Sequence, residues 1–347
     1  MADPTPQTVV YVSNAGSKDI YVLAMDRETG QLELIDKTPV PGTDEPSPAS
    51  LPMAISRDKR FLYAQLRGAP YPVSSFAIDP SSGRLQFLGQ TPLVDQMAYL
   101  TVDVYGKYLF GASYVGAKLA IYPIDPATGI VQPEASQIVD TNPKAHCVIR
   151  NHIGNALFVP VLGGDEVLVF GYDFNGQANL SSRVTTAPGS GPRHFTLHPS
   201  RPWGYLLTET TAQIGVYGVD PVTSVMTERQ FIATGDWNGT SSAAASDIHV
   251  TPDGNFVYAA VRSTNMLHGY RIDGNNHGML SPIGSFPTET TPRGFAIEPR
   301  SKFLLSAGMN SDAMTVHWID ANSGSLMAVG QYPMGTQPNW VEIVDLA

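Results

Sequence analysis

Histidine and arginine recur at one position of a sequence repeat, and their chemistry suits a negatively charged ligand. Five equivalent positions carry polar side chains: His146, Arg193, Ser246, Arg293 and Asn339. The forked donors of arginine suit a carboxylate, a phosphate or a developing oxyanion. Histidine titrates closest to neutrality, so it can exchange protons with a reacting group. These residue types together predict a small-molecule site that binds and stabilises negative charge.

The equivalence of these positions rests on tight turns that recur along the chain, such as the TPDG sequence at 251–254. Counting five residues back from each turn reaches one position per repeat, which we call the slot. In chain order the slots are Leu51, Ala98, His146, Arg193, Ser246, Arg293 and, from the terminal strand, Asn339, at intervals of 47, 48, 47, 53, 47 and 46 residues. A structural position would repeat similar residues throughout, so the polar bias of the later slots indicates function.

A second series consists of aspartates that each close an alternating, strand-like run. They are Asp26, Asp79, Asp125, Asp173, Asp220, Asp273 and Asp320, at intervals of 53, 46, 48, 47, 53 and 47 residues. Several precede a turn with glycine, as expected between two paired strands. We expect these carboxylates to cap turns by accepting hydrogen bonds from local backbone amides. Each repeat therefore reads as four short strands.

Seven repeats of this length and content predict an all-β fold, a seven-bladed β-propeller with four antiparallel strands per blade. The chain starts within a repeat, at the strand-like residues 8–12, and ends on an unmatched strand at 340–344. We expect the C-terminal strand to complete blade one, which closes the ring and removes a free sheet edge. Residues 1–347 then form one domain, and the slots form a ring around the central channel.

Residues close to the slots leave alternatives open. Asp247 and His249 share one strand face, so they either form a wall of the pocket or bond one blade to the next. His194 follows its slot directly and should face away from the slot side, as a core or interblade residue. Glu209 and Glu289 supply carboxylates that could instead make the slot arginines structural ion pairs.

Composition restricts the possible partners and compartments. The 347 residues carry a net charge of −10 without a cluster of Lys or Arg, which disfavours nucleic acid and anionic membranes as partners. No apolar run approaches the length of a spanning helix. The single cysteine, Cys147, excludes an internal disulfide, and residues 1–6 lack signal-peptide character, so a cytoplasmic location is slightly favoured over an exported mature form. A monomer or small homo-oligomer is expected.

Three segments resemble a known family of enzymes. Residues 191–199 (GPRHFTLHP), 246–254 (SDIHVTPDG) and 287–295 (PTETTPRGF) resemble the central motif of the bacterial 6-phosphogluconolactonase propellers. The same lactonase family contains the fungal 3-carboxy-cis,cis-muconate lactonising enzymes. The resemblance extends over essentially the whole chain, in register with all seven repeats. It implies an activity that opens or closes a lactone ring at the channel mouth, with no cofactor and no metal.

The resemblance also implies particular site residues. The His, two Arg and Glu of the muconate-lactonising branch fall on His146, Arg193, Arg293 and Glu209. Substrate contacts are expected from Ser246, Asp247, His249 and Asn339. A metal is not expected, because two slot arginines would repel a cation.

The predicted reaction is hydrolysis of a sugar-acid lactone, either 6-phosphogluconolactone or gluconolactone. His146 or Glu209 would act as base, and Arg193 and Arg293 would stabilise the oxyanion. The alternatives are a cycloisomerase that forms a muconolactone and a non-catalytic propeller that binds other proteins.

Overall fold

The computed structural model describes residues 7–235 and 242–346, and nearly all regular structure in these ranges is β-strand. Residues 1–6, on which the signal-peptide prediction falls, lie outside them. The 28 strands form seven four-stranded antiparallel sheets, which confirms the predicted propeller. No helix within the described ranges is long and apolar enough to cross a membrane.

The first four blades take up the N-terminal half of the chain. Blade one begins with β1 (Thr8–Asn14), β2 (Asp19–Met25) and β3 (Leu32–Pro39). Blade two comprises β4 (Met53–Ile55), β5 (Phe61–Gln65), β6 (Pro72–Ile78) and β7 (Leu85–Pro92). Blade three comprises β8 (Tyr99–Val102), β9 (Tyr108–Ser113), β10 (Lys118–Pro123) and β11 (Gln137–Asp140). Blade four comprises β12 (Ile149–Arg150), β13 (Ala156–Val161), β14 (Glu166–Tyr172) and β15 (Ala178–Thr185), with a 3-10 turn at Leu162–Gly164.

The remaining blades repeat the pattern. Blade five comprises β16 (Pro192–Leu197), β17 (Trp203–Thr208), β18 (Gln213–Val219) and β19 (Met226–Ala233). Blade six comprises β20 (Ala245–Val250), β21 (Phe256–Val261), β22 (Met266–Asp273) and β23 (Met279–Pro287). Blade seven comprises β24 (Pro292–Ile297), β25 (Phe303–Gly308), β26 (Ala313–Ile319) and β27 (Leu326–Pro333).

The last strand, β28 (Pro338–Asp345), closes the ring as predicted. It pairs antiparallel with β1 along its length and gives blade one the order β28-β1-β2-β3. Asp345 fastens this closure, because its Oδ1 accepts a hydrogen bond from Thr8 Oγ1 at 2.6 Å and lies 2.7 Å from an Arg27 nitrogen. The pairing with β28 leaves no unpaired edge on β1 where the two ends of the chain meet.

The second strand of each blade carries much of the core. Strands β13, β17, β21 and β25 are buried along their whole length. Buried tyrosines tie neighbouring blades together: Tyr11 donates to the Gly83 carbonyl at 2.8 Å, and Tyr258 donates to the Gly324 carbonyl at 2.7 Å. Both carbonyls lie in glycine turns that the sequence marks.

The repeated aspartates cap turns, as predicted. Asp26 Oδ1 accepts hydrogen bonds from the backbone amides of Glu28 and Thr29 at 2.9 and 2.7 Å. The other six aspartates bond backbone amides two to four residues ahead in the same way. These exposed carboxylates stabilise turns and lie away from the channel.

Five blades share an irregular backbone path into the slot. The residue two positions before the slot has a left-handed φ in Lys144, Gly191, Ala244, Thr291 and Gln337, with values from 53° to 69°. Its carbonyl then accepts a hydrogen bond from the residue just beyond the second strand, as Gly191 does from the Glu209 amide at 2.7 Å. These are the blades whose slots hold His146, Arg193, Ser246, Arg293 and Asn339. The matching residues before Leu51 and Ala98 are not left-handed.

In four of these blades the slot residue is also the extra residue of a β-bulge. The strand pairing shifts register around Arg193, Ser246, Arg293 and Asn339. A bulge turns a side chain away from the regular alternation of a strand. The polar slots are therefore distinguished by backbone geometry as well as by residue type.

Candidate active site

Four arginine side chains meet at the end of the channel where the inner strands begin. Arg193 and Arg293 come from the slots of blades five and seven, whereas Arg67 and Arg262 follow the ends of β5 and β21. We call these four residues the arginine cluster. Burial, followed by the positive charges of the other three, lowers the pKa of Arg293 well below its ordinary value. The cluster therefore concentrates positive charge within an acidic protein.

Glu209 is the carboxylate that two members of the cluster share. Arg193 Nη1 donates a hydrogen bond to Oε2 of Glu209, and Arg262 Nη2 lies 3.3 Å from Oε1. Arg193 also donates from Nε to the Ser246 carbonyl at 2.7 Å. Although burial favours the neutral acid, the two guanidinium groups hold the pKa of Glu209 below its ordinary value. Glu209 is therefore ionised, with both oxygens engaged.

Arg67 and Arg293 lack such a partner. Within residues 7–235 and 242–346, neither forms an ion pair with a carboxylate. Arg67 donates from Nη1 to Ser50 Oγ at 3.3 Å, while its buried Nε has no hydrogen-bond partner among the described residues. Burial and the charge of Arg193 lower the pKa of Arg67 to about 10, an effect that Tyr114 and Asp95 oppose. The guanidinium groups of Arg67 and Arg293 are therefore available to bind an anionic ligand.

His146 lies beside this cluster as a neutral imidazole. Its ring packs edge-on against that of Tyr114, with centroids 5.5 Å apart, and lies tilted against that of His194 at 5.2 Å. Burial, then the charges of Arg193, His194, Arg293 and Arg67, lower the pKa of His146 well below its ordinary value. In the part of the chain that the structure describes, its buried Nδ1 has no hydrogen-bond partner. A neutral imidazole keeps a lone pair with which it can accept a proton.

Aromatic rings close the channel beyond the arginine cluster. The ring of Tyr99 lies 5.3 Å from that of His194 and 4.9 Å from that of Trp340. These residues belong to blades three, five and one, so their rings meet across the channel; we call them the plug. The expectation that His194 faces away from the slot side is wrong, because the bulge at Arg193 interrupts the alternation. Its predicted interblade contact is confirmed by a 2.9 Å hydrogen bond to Asp247.

Asp247 and His249 lie at a separate cavity on the far side of the plug. The cavity, of about 170 Å³, is also lined by Tyr99, Phe295, Trp340 and Glu342, and no arginine contributes to it. His249 Nε2 lies 3.1 Å from Asp247 Oδ2, and Trp340 Nε1 donates to Glu342 at 2.8 Å. Burial raises the pKa of Glu342 to about 7. Substrate contact by Asp247 and His249 stays a prediction.

Ser246 and Asn339 use their polar atoms to fasten neighbouring slots. Ser246 Oγ donates to the Pro292 carbonyl at 2.6 Å. Asn339 Oδ1 accepts from the Leu51 amide at 3.0 Å, and its Nδ2 donates to the Gln337 carbonyl at 2.8 Å. Their assignment as substrate contacts also stays a prediction.

The alternative of structural ion pairs applies to one slot arginine. Arg193 pairs with Glu209, as that alternative requires. Glu289, by contrast, accepts hydrogen bonds from Ser311 and Gln331 at 2.7 and 2.9 Å and from Thr315 at 2.5 Å. Arg293 is therefore not neutralised by Glu289.

Sequence reasoning missed Arg67, Arg262 and Tyr114. All three occupy a second ring, sixteen residues after the slots, whose members are Arg67, Tyr114, Leu162, Glu209, Arg262 and Met309. Because this ring repeats the slot intervals, the same count along the sequence would have found it. Glu209 was reached only through the family resemblance, although it belongs to the same series.

A metal centre was not expected at this site. No group of three or more His, Cys, Asp or Glu residues able to hold a metal ion occurs in the described part of the chain. Metal independence stays a prediction that chelation can test.

Comparisons with known proteins agree with this fold. The family described as "Lactonase, 7-bladed beta-propeller" matches residues 7–343. A 6-phosphogluconolactonase of Pectobacterium atrosepticum is 33% identical over 344 residues, which cover 98% of this chain and 99% of the relative. A 6-phosphogluconolactonase of Serratia proteamaculans is 34% identical over 340 residues, which cover 97% and 98%.

A solved structure with the same architecture extends this agreement. The periplasmic gluconolactonase of Pseudomonas aeruginosa has a TM-score of 0.86 and 25% identity, covering 99% of each chain. The family match spans nearly the whole chain, including every member of the arginine cluster. The chain belongs to the lactonase family of seven-bladed β-propellers.

Proposed function

We propose that the protein hydrolyses a sugar-acid lactone that carries an additional negative group, with 6-phosphogluconolactone as the first candidate. One observation carries the proposal: of the four clustered guanidinium groups, two share the carboxylate of Glu209, and Arg67 and Arg293 have no carboxylate partner in the described chain. A phosphate would neutralise this excess charge. The names of the two relatives, both called 6-phosphogluconolactonase, support this substrate, and the Pseudomonas gluconolactonase supports the reaction class.

The reaction needs a base, an oxyanion partner and a proton donor. Water attacks the lactone carbonyl carbon while His146 takes one of its protons, and charge builds on the carbonyl oxygen. Arg293 has donors free to stabilise that oxygen, and Arg67 has donors free to bind the phosphate. The bond from the carbonyl carbon to the ring oxygen then breaks, and the departing oxygen receives the proton held by His146. The product is a hydroxy acid, which ionises at neutral pH.

His146 is a better base than Glu209. Both oxygens of Glu209 are engaged by Arg193 and Arg262, and its pKa is lowered, so it binds a proton poorly. His146 is neutral, because burial first, and then the charges of nearby groups including Arg193, Arg293 and Arg67, lower its pKa. An anionic substrate would offset those charges and raise the pKa of His146 towards neutrality. The base is therefore strengthened when substrate is bound.

Side-by-side assays test the proposal. Purified protein is given 6-phosphogluconolactone, gluconolactone and carboxymuconate, with and without EDTA, and each rate is compared with the uncatalysed rate. We expect the phosphorylated lactone to be hydrolysed with the highest kcat/KM, and chelation to leave that value unchanged because the arginine cluster repels cations.

Two outcomes would overturn the proposal. Cyclisation of carboxymuconate without hydrolysis of either lactone would assign the same arginines to a cycloisomerase. Loss of activity in EDTA, with recovery on addition of a divalent cation, would replace the metal-free mechanism.

A further inference from the structure

We propose that Tyr114 binds the hydroxyl groups of the lactone and so selects polyhydroxylated lactones as substrates. This inference rests on the proposed function, and it concerns the part of the substrate that lies between the carbonyl and the phosphate. The evidence is the place of Tyr114 in the channel, the contacts of its ring, and a hydroxyl group that has no partner in the described chain.

Tyr114 lies between Arg67 and His146 in the order of the blades. It follows β9 of blade three, whereas Arg67 follows β5 of blade two and His146 is the slot of blade four. Blades two and three share one apolar core, and blades three and four share another, so the three blades are consecutive around the channel. Tyr114 and Arg67 also hold equivalent positions, sixteen residues after their slots. Tyr114 therefore lies beside the path from His146 to Arg67.

Two neighbours hold the ring of Tyr114 in this place. It meets the ring of His146 edge-on, with centroids 5.5 Å apart and planes at 82°. Lys144 Nζ lies 5.8 Å from the centroid of the Tyr114 ring, within the range of a cation–π contact. Tyr114 is half-buried, whereas Lys144 is exposed. These contacts use the ring and leave the hydroxyl group available.

The hydroxyl group of Tyr114 has no hydrogen-bond partner within residues 7–235 and 242–346. It nevertheless acts on two arginines of the cluster. Burial, and then the charge of Arg193, lowers the pKa of Arg262 to about 10, and Glu209 and Tyr114 oppose this effect. Tyr114 likewise opposes the lowering of the Arg67 pKa that burial and Arg193 cause. Arg67 and Arg262 come from blades two and six, so the hydroxyl group of Tyr114 is close to arginines on both sides of the channel.

A tyrosine hydroxyl suits an uncharged polar group of a ligand. It can donate one hydrogen bond and accept others, whereas the arginines can only donate. In 6-phosphogluconolactone, the carbons between the carbonyl and the phosphate carry hydroxyl groups. With the carbonyl carbon beside His146 and the phosphate at Arg67, these hydroxyl groups lie beside Tyr114. A lactone without them leaves the Tyr114 hydroxyl unpaired, and the site therefore disfavours such a lactone.

Tyr114→Phe tests this role, because it removes the hydroxyl group and keeps the ring that packs on His146. We expect kcat/KM for 6-phosphogluconolactone and for gluconolactone to fall by about tenfold each, the loss of one uncharged hydrogen bond. The loss should appear in KM with kcat nearly unchanged, because these hydroxyl groups take no part in the reaction. The matched control is Tyr105→Phe, the same change at a tyrosine of blade three that is 66% exposed, which should alter neither value.

Calorimetry gives a second measurement that does not depend on turnover. The probes are 6-phosphogluconate and 6-(phosphonooxy)hexanoate, which have the same chain length and the same acidic ends but differ in the hydroxyl groups along the chain. We expect the wild-type protein to bind 6-phosphogluconate more tightly. Tyr114→Phe should weaken that binding by about tenfold and leave the binding of 6-(phosphonooxy)hexanoate unchanged, since the arginine cluster is intact.

These outcomes separate the two proposals. If the wild-type protein hydrolyses neither lactone, the proposed function fails, and calorimetry alone decides the role of Tyr114; failure to bind 6-phosphogluconate would then overturn that role. If the wild-type protein is active and Tyr114→Phe keeps its kcat/KM for both lactones, or binds 6-phosphogluconate equally well, recognition of the hydroxyl groups is wrong. A fall in kcat at unchanged KM would also overturn it, because Tyr114 would then act as the acid that protonates the departing ring oxygen.

Discussion

Electrostatic repulsion within the arginine cluster is the central property of the site at the scale of residues. Arg193 and Arg262 share Glu209, and among the described residues Arg67 and Arg293 have no comparable partner. Arginine does not lose its proton near neutrality, so a lowered pKa means that the charged form is unfavourable in the free protein. A bound anion relieves this repulsion. The site should therefore favour the lactone with more negative charge.

Replacing Arg67 tests this discrimination. Arg67→Gln should lower kcat/KM for 6-phosphogluconolactone by about tenfold to a hundredfold, the range expected for a lost charge-assisted hydrogen bond. The value for gluconolactone should change little, because Arg67 is assigned to the phosphate. Thermal stability should hold or rise, since a buried charge without a carboxylate partner is removed.

The matched control is Arg60→Gln in the same blade, an exposed arginine that should affect neither substrate. Equal losses for both lactones in Arg67→Gln would contradict the assignment of Arg67 to the phosphate.

At the scale of elements, irregular backbone geometry orients the side chains of the site. The left-handed residue and the bulge occur together in the blades that supply Arg193, Ser246, Arg293 and Asn339. A regular strand would alternate its side chains between the two faces. The bulge instead allows both Arg193 and the following residue, His194, to lie within the channel.

A pair of substitutions tests the left-handed position. Gly191→Ala should lower the free energy of unfolding by about 1–2 kcal/mol, because an L-residue is strained at φ 67°. Its Cβ would also lie 2.8 Å from Thr210 Oγ1 and 3.1 Å from Leu162 Cγ. Lactonase activity should fall as well, because Gly191 precedes Arg193 by two residues and its carbonyl bonds the Glu209 amide.

Ala244→Gly, at the matching position of blade six, should leave stability unchanged or raise it by up to about 1 kcal/mol. Urea unfolding measures both variants. If both variants changed the free energy of unfolding by the same amount in the same direction, the left-handed backbone conformation would not explain the change.

The sequence predicts the elements better than it predicts the site. Turn signals and capping aspartates recur in every repeat, so the number of blades, the four strands and the closure by residues 340–344 follow from the period. The bulge at Arg193 leaves no mark in the sequence, and a strict alternation therefore misplaces His194. Arg67 and Arg262 lie just beyond the second strands and not in the inner-strand slots, so the slot pattern alone does not predict them, although the second ring repeats the same intervals.

At the scale of the whole molecule, the net charge of the protein and the closure of the ring both affect the site. The protein carries a net charge of −10, whereas the mouth of its channel holds the arginine cluster. A positive site within a negative surface attracts anions to that mouth and repels them elsewhere. The ring must stay closed for this arrangement, because the clustered arginines come from blades two, five, six and seven.

Deleting β28 tests the closure. The strand pairs with β1 along its whole length, and its apolar residues join the cores on both sides of blade one: Val341 with blade seven, and Trp340 and Val344 with blade two. Removing residues 338–347 should lower the free energy of unfolding by about 5 kcal/mol or more, since burial of each large apolar side chain contributes about 1.5–3 kcal/mol. It also exposes a sheet edge on β1.

The consequence of that deletion should extend around the ring. Each blade packs on two neighbours, so opening one join loosens blade four as well as blade one. Amide hydrogen exchange in β13, on the far side from the join, should accelerate together with exchange in β1. Deleting only residues 345–347 removes the Arg27–Asp345 ion pair but leaves most of the β28–β1 ladder, and should cost less. Unchanged exchange in β13 after the full deletion would mean that the blades are stable independently and that β28 serves blade one alone.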